Sequence, residues 1–152
     1  MCAALLIFFL NQSEIGNWFK KSDYAGWSIL IEEGLKAKLV NVISIDFATT
    51  PQNKDEFYVV VDLAEPTYEY EMDLLFSDVQ RIILDAYLKT DPKPTQLDSM
   101  ATNMHGDSGL IIGVITPFQV ALDYIQAKIS YDEYLDSWRY GVDFLETPSP
   151  NL

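Results

Sequence analysis

The sharpest pattern along the chain is Tyr68-Glu69-Tyr70-Glu71-Met72-Asp73-Leu74. Tyr68, Tyr70, Met72 and Leu74 alternate there with Glu69, Glu71 and Asp73. A period of two marks a strand with one buried face and one wet face. The spacing predicts a strand over 68–74 that offers two tyrosines, a methionine and a leucine to a core. Its other side carries three carboxylates roughly 7 Å apart. Like charges in such a row repel and add no stability.

The rest of the pattern supplies the neighbours. Residues 12–36 read as helical: Trp27, Leu30, Ile31, Gly34 and Leu35 share one stripe, Asp23 suits an N-cap, and Lys36 and Lys38 suit the C-terminal end. Ile15, Trp18 and Phe19 suggest a shorter helix before it. From 40 to 47, Ile43, Ile45 and Phe47 alternate with Ser44 and Asp46, which reads as a strand. A polar turn over 48–56 leads to the strongest strand. It has Phe57, Val59, Val61 and Leu63 on one face and Tyr58, Val60 and Asp62 on the other. Short connections between these strands predict an antiparallel three-stranded meander. Its wet face would gather Asp46, Asp62, Glu69, Glu71 and Asp73.

Ser77 to Gln80 has capping-box spacing and opens a helix with Val79, Ile82, Ile83, Ala86 and Tyr87 on one stripe, ending near Lys89. Residues 90–108 hold two prolines and no period, the mark of a long internal loop. The apolar run Leu110 to Ile115 suits a strand buried on both faces. Thr116-Pro117-Phe118-Gln119 opens a helix to about 129. Ser130-Tyr131-Asp132-Glu133 is a second capping box, opening a helix to roughly Phe144. Along it Tyr131, Tyr134, Leu135, Trp138 and Val142 form a stripe that either faces the core or, with the acids beside it, makes a recognition surface. Residues 147–152 read as a frayed tail. The first ten residues have the apolar character of a signal-peptide core, without a basic n-region or a small-residue cleavage site, and are too short to span a bilayer. They read as a buried strand or helix turn. Together these elements predict a single α+β domain: an antiparallel three-stranded meander plus one buried strand, covered by amphipathic helices.

Composition narrows the function. With 152 residues, 49% of them hydrophobic, the chain can bury a core without cross-links. Ten basic residues against 23 acidic ones leave a net charge of −13. That balance argues against bare nucleic acid or an anionic membrane as a partner. It favours rapid capture of a basic protein. Cys2 is the only cysteine and His105 the only histidine, so counting excludes an internal disulfide, a cysteine zinc site and a paired-histidine mechanism. A lone cysteine and no export signal fit a reducing, cytoplasmic setting.

Few residues carry chemistry. Gly106-Asp107-Ser108-Gly109 matches the four residues around the nucleophile of trypsin-like serine proteases. The only histidine immediately precedes them, whereas a triad needs a base converging from elsewhere, and the chain is too short for two barrels. The four residues read as a turn feeding the 110–115 strand. Carboxylates spread along a flat strand do not converge on a cation. No Walker A, GxGxxG or CxxC pattern is present, so neither cofactor, metal nor catalytic residue is expected.

In build, the chain resembles small acidic bacterial immunity proteins, including those of contact-dependent growth inhibition systems. The likeness lies in size, acidity and the lack of catalytic motifs; it rests on no motif and carries no residue over. It implies a stoichiometric inhibitor that binds a basic, nuclease-like toxin domain where the toxin would hold phosphate. The partner surface expected from the pattern is Glu69, Glu71, Asp73, Asp62, Asp46 and Tyr58. An adaptor or oligomerising structural protein is the alternative, and a small hydrolase a third.

Overall fold

The computed structural model describes residues 21–49, 56–94 and 97–144. Over these, the elements are α1 (Lys21–Ala37), β1 (Val42–Thr49), β2 (Phe57–Ala64), α2 (Met72–Lys89), β3 (Ser99–His105), β4 (Leu110–Pro117), α3 (Phe118–Ile125), α4 (Tyr131–Asp136) and β5 (Arg139–Phe144). The elements expected over the first nineteen residues and the 147–152 tail lie outside the described residues. No described helix is long and apolar enough to cross a membrane.

The class is α+β, but the expected meander plus one strand is overturned. The strands form one five-stranded sheet in the order β1-β2-β3-β4-β5. β1 and β2 pair antiparallel as expected, with Asp46 opposite Val60 and Ser44 opposite Asp62. The third strand is not 68–74. Residues 65–71 are irregular, and Met72 begins α2. The physical reason lies just beyond the alternating run. Leu75, Phe76, Val79, Ile83, Leu84 and Ala86 are buried on one side of the helix, at the i, i+1, i+4, i+8 spacing a helix needs. That longer stripe outweighs seven alternating residues. The α2 crossover then brings β3 alongside β2 in parallel, a geometry that a short hairpin cannot produce.

β3 runs through the stretch expected to be a loop over 90–108. It is a central strand, with six of its seven residues buried. Ser99 and Asn103 offset their burial by bonding across the sheet: Ser99 Oγ donates to Glu56 Oε1 at 2.9 Å and Asn103 Nδ2 to Asp62 Oδ1 at 3.1 Å. β5 replaces the second half of the expected C-terminal helix, and pairs antiparallel with β4.

Helix starts divide into local and tertiary cases. The Ser130–Glu133 capping box forms as expected: Ser130 Oγ accepts from the Glu133 N–H at 3.2 Å, and Glu133 Oε2 from the Ser130 N–H at 2.7 Å. Asp23, in contrast, lies inside α1, and Ser77 is buried within α2. Thr116 stays on β4, so α3 begins at Phe118.

The buried side chains of every described helix join one cluster with the β2, β3 and β4 residues Val59, Val61, Leu63, Met100, Met104 and Val114. Trp27 sits at its centre. Its ring meets Phe47 at 5.2 Å, Tyr87 at 5.3 Å and Phe118, edge-on, at 5.9 Å. Its Nε1 donates to the Ile83 carbonyl at 2.9 Å, so the indole nitrogen is buried without an unmet bond. On the other face of the sheet, Tyr58, Val60, Ala101 and Ile115 form a second cluster. β2 is therefore buried on both faces, not wet on one.

Candidate functional site

The structure divides the six expected partner residues between two places. Glu69, Glu71 and Asp73 are exposed, on the approach to α2 and in its first turn. Asp46, Asp62 and Tyr58 lie on the second face of the sheet, in register with one another. Asp62 is 1% exposed and Tyr58 4% exposed, which corrects their expected place on a wet surface. Asp46 is half-buried.

Asp62 is held by its neighbours. Its Oδ2 accepts from Ser44 Oγ at 3.0 Å, and its Oδ1 from Asn103 Nδ2 at 3.1 Å. His105 Nε2 lies 2.9 Å from the same Oδ1. A buried carboxylate needs such donors, because ionisation away from water is otherwise costly. Ser44 bonds to the carboxylate rather than to the imidazole, so serine, histidine and aspartate do not form a nucleophile-base-acid line. Tyr58 belongs to another group on this face: Glu56 raises its pKa, after burial, while Arg139 acts in the opposite sense. Arg139 Nη2 lies 3.6 Å from Glu56 Oε1.

Gly106 to Gly109 is the β3–β4 turn. The Gly106 N–H bonds to the Leu110 carbonyl at 2.8 Å, the Gly109 N–H to the Gly106 carbonyl at 3.1 Å, and Gly109 takes φ 86°, a conformation that favours glycine. Asp107 and Ser108 are exposed at its tip. Among the described residues, no group of three His, Cys, Asp or Glu side chains is placed to hold a metal ion.

Of the exposed carboxylates, Asp73 meets the sheet edge. Tyr140 on β5 donates its hydroxyl to Asp73 Oδ1 at 2.9 Å. Partial burial, then this bond, push the Tyr140 hydroxyl up to about 12. Tyr131 at the start of α4 is also raised, by burial first and then by the carboxylate of Asp73, with Tyr124, Asp78 and Glu71 adding to it. Carboxylates from the α2 approach and its first turns thus surround tyrosines from α4 and β5. Apolar surface lies among them: Leu74 is 52% exposed, Tyr140 50% and Val142 47%. On the approach, Tyr70 donates to Glu65 Oε1 at 2.8 Å.

The sequence pattern finds Glu69, Glu71 and Asp73 but misses their company. Leu74 is read as core, and Tyr140 is not singled out. Val142 and Tyr131 appear only in a helical stripe. The signal for β5 was present in Trp138, Tyr140, Val142 and Phe144 alternating with Arg139, Gly141 and Asp143, and glycine breaks a helix more readily than a strand edge. No family model, curated protein or solved structure matches this chain.

Proposed function

We propose that this chain is a stoichiometric protein inhibitor of the immunity-protein type, capturing a basic partner on the patch where α2 begins and β5 ends the sheet. The observation that carries this reading is the gathering of Glu71, Asp73 and Asp78 around tyrosines, beside exposed Leu74, Tyr140 and Val142. Aromatic and aliphatic anchors ringed by one sign of charge suit a partner that is basic around an apolar centre. A nuclease-like toxin domain has that character where it holds phosphate, and a net charge of −13 speeds its approach. The setting proposed is cytoplasmic, where such an inhibitor protects its own cell.

The test uses a basic toxin domain, sought first in the coding sequences adjacent to this one. Association rates are followed against salt for the wild type and for E69K/E71K, with toxin activity measured in equimolar mixtures. The expected result is a 1:1 complex that abolishes activity, with an association rate that falls steeply as salt rises. E69K/E71K should slow association by about tenfold and flatten its salt dependence. Its fold should be kept, since exposed charges contribute little to stability. A partner that does not bind, or binds both proteins equally fast, overturns the reading.

A further inference from the structure

We propose that the outer edge of β5 takes an extended, basic segment of the partner as a sixth strand. This deepens the binding reading above and rests on it. Sheet order places β5 at an edge, with β4 on its inner side and no described strand beyond it. In an antiparallel edge strand, alternate residues turn N–H and C=O away from the sheet. No described residue outside the β4 ladder takes the backbone groups of Tyr140, Gly141 or Val142.

The two edges of this sheet are not equivalent. β1 carries a register shift between Val42 and Ser44, and such a break in the ladder makes an edge less suited to further pairing. β5 pairs with β4 in unbroken register over all six residues. It has no proline, and Tyr140 and Val142, on the helix side of the sheet, are about half exposed. An edge that no other described strand pairs with meets the structural requirement for strand addition.

Charge selects the occupant. A strand laid on β5 places every second side chain on the helix side, beside the α2 start, where Glu71 and Asp73 stand exposed. Lysine or arginine at those positions finds carboxylates, with its methylene stem against Tyr140 and Val142. A second copy of this chain is a poor occupant, because pairing β5 with itself brings two such acidic groups together on molecules of charge −13 each. Arg139, the one base on the strand, is already 3.6 Å from Glu56.

The probe is a synthetic eight-residue peptide alternating lysine and valine, with an analogue N-methylated at successive central residues so that neither of its edges can pair. Side chains and charge are then unchanged. The expected result is that the parent peptide binds and slows amide exchange over 140–142. The analogue should bind at least about tenfold more weakly, and E69K/E71K should weaken the parent about fivefold or more. Equal binding of parent and analogue overturns strand addition while leaving the charged patch as a binding surface. Failure of both peptides to bind overturns it as well, and the toxin-complex measurement then judges the inhibitor reading alone. A dimer paired through β5 in sedimentation and cross-linking would overturn the choice of occupant.

Discussion

Gln80 Nε2 donates to Thr116 Oγ1 at 2.8 Å, and solvent reaches neither residue. The same amide accepts, through Oε1, the hydroxyl of Tyr134. One side chain of α2 therefore ties the helix to β4 and to α4 within the layer between helices and sheet. Burial drives the Tyr134 hydroxyl well above its ordinary range, so the phenol stays neutral and needs this acceptor. Gln80→Leu keeps the volume but strands the Tyr134 hydroxyl and the Thr116 hydroxyl. Each orphan costs roughly 1–3 kcal/mol, so denaturant unfolding should show a loss of about 2–4 kcal/mol. Adding Tyr134→Phe to Gln80→Leu should cost much less than Tyr134→Phe alone, because the group to be satisfied is then gone. Independent, additive losses in that cycle would show that the triad is not coupled.

A second prediction concerns the crossing of α1 and α2. A Cβ added at Gly34 would lie 2.6 Å from Ile82 Cγ2. In an open helix, Gly→Ala gains up to about 1 kcal/mol in propensity. Forcing a methyl into packed side chains costs about 1–3 kcal/mol. The second effect should win here, because Cγ2 hangs on the branched Cβ of Ile82 and cannot swing away like the end of a long chain. Gly34→Ala should lower stability by about 1 kcal/mol. In an Ile82→Ala background the blocking atom is absent, and Gly34→Ala should then raise stability. Urea unfolding of the four variants decides the point: a gain from Gly34→Ala alone would mean that the helices part freely at this crossing.

The same contrast between local and long-range causes explains what could be read in advance. The Ser130–Glu133 cap involves residues three apart, and its two bonds form as the spacing suggests. The 57–64 and 110–117 strands show their type through β-branched runs. β3 had no such signal, because Ser99, Thr102 and Asn103 make it read as polar loop. The partners of Ser99 and Asn103, Glu56 and Asp62, lie about forty residues away in sequence, and only the parallel crossover brings them together. The acidic row was legible as composition but not as geometry. Tyr68 to Leu74 alternate, yet they straddle a helix start, and Asp73 finds Tyr140 across 67 residues.

The last prediction follows from tyrosines whose hydroxyls resist ionisation. Tyr140 is pushed up to about 12 by partial burial and its bond to Asp73, and Tyr70 to about 12 by burial and its bond to Glu65. In the unfolded chain both return to their ordinary 10.0. Below pH 10 neither state has lost the proton, and the contribution of these bonds to stability is complete. Between pH 10 and 12 the unfolded chain releases protons that the fold retains, so stability falls as pH rises through this window. Tyr58 and Tyr134, raised further still, extend the loss above it. Phenolate absorbance on the folded protein should accordingly show these tyrosines titrating well above 10, while unfolding midpoints drop from pH 10 upward. Asp73→Asn separates the causes at Tyr140. It removes the carboxylate that opposes a phenolate but keeps an acceptor for the hydroxyl, so the Tyr140 titration should move down toward 10, leaving that of Tyr70 in place. If all tyrosines of the folded wild type titrate together near 10, or if Asp73→Asn leaves the Tyr140 step unmoved, the contact between the α2 start and the β5 edge does not form in solution.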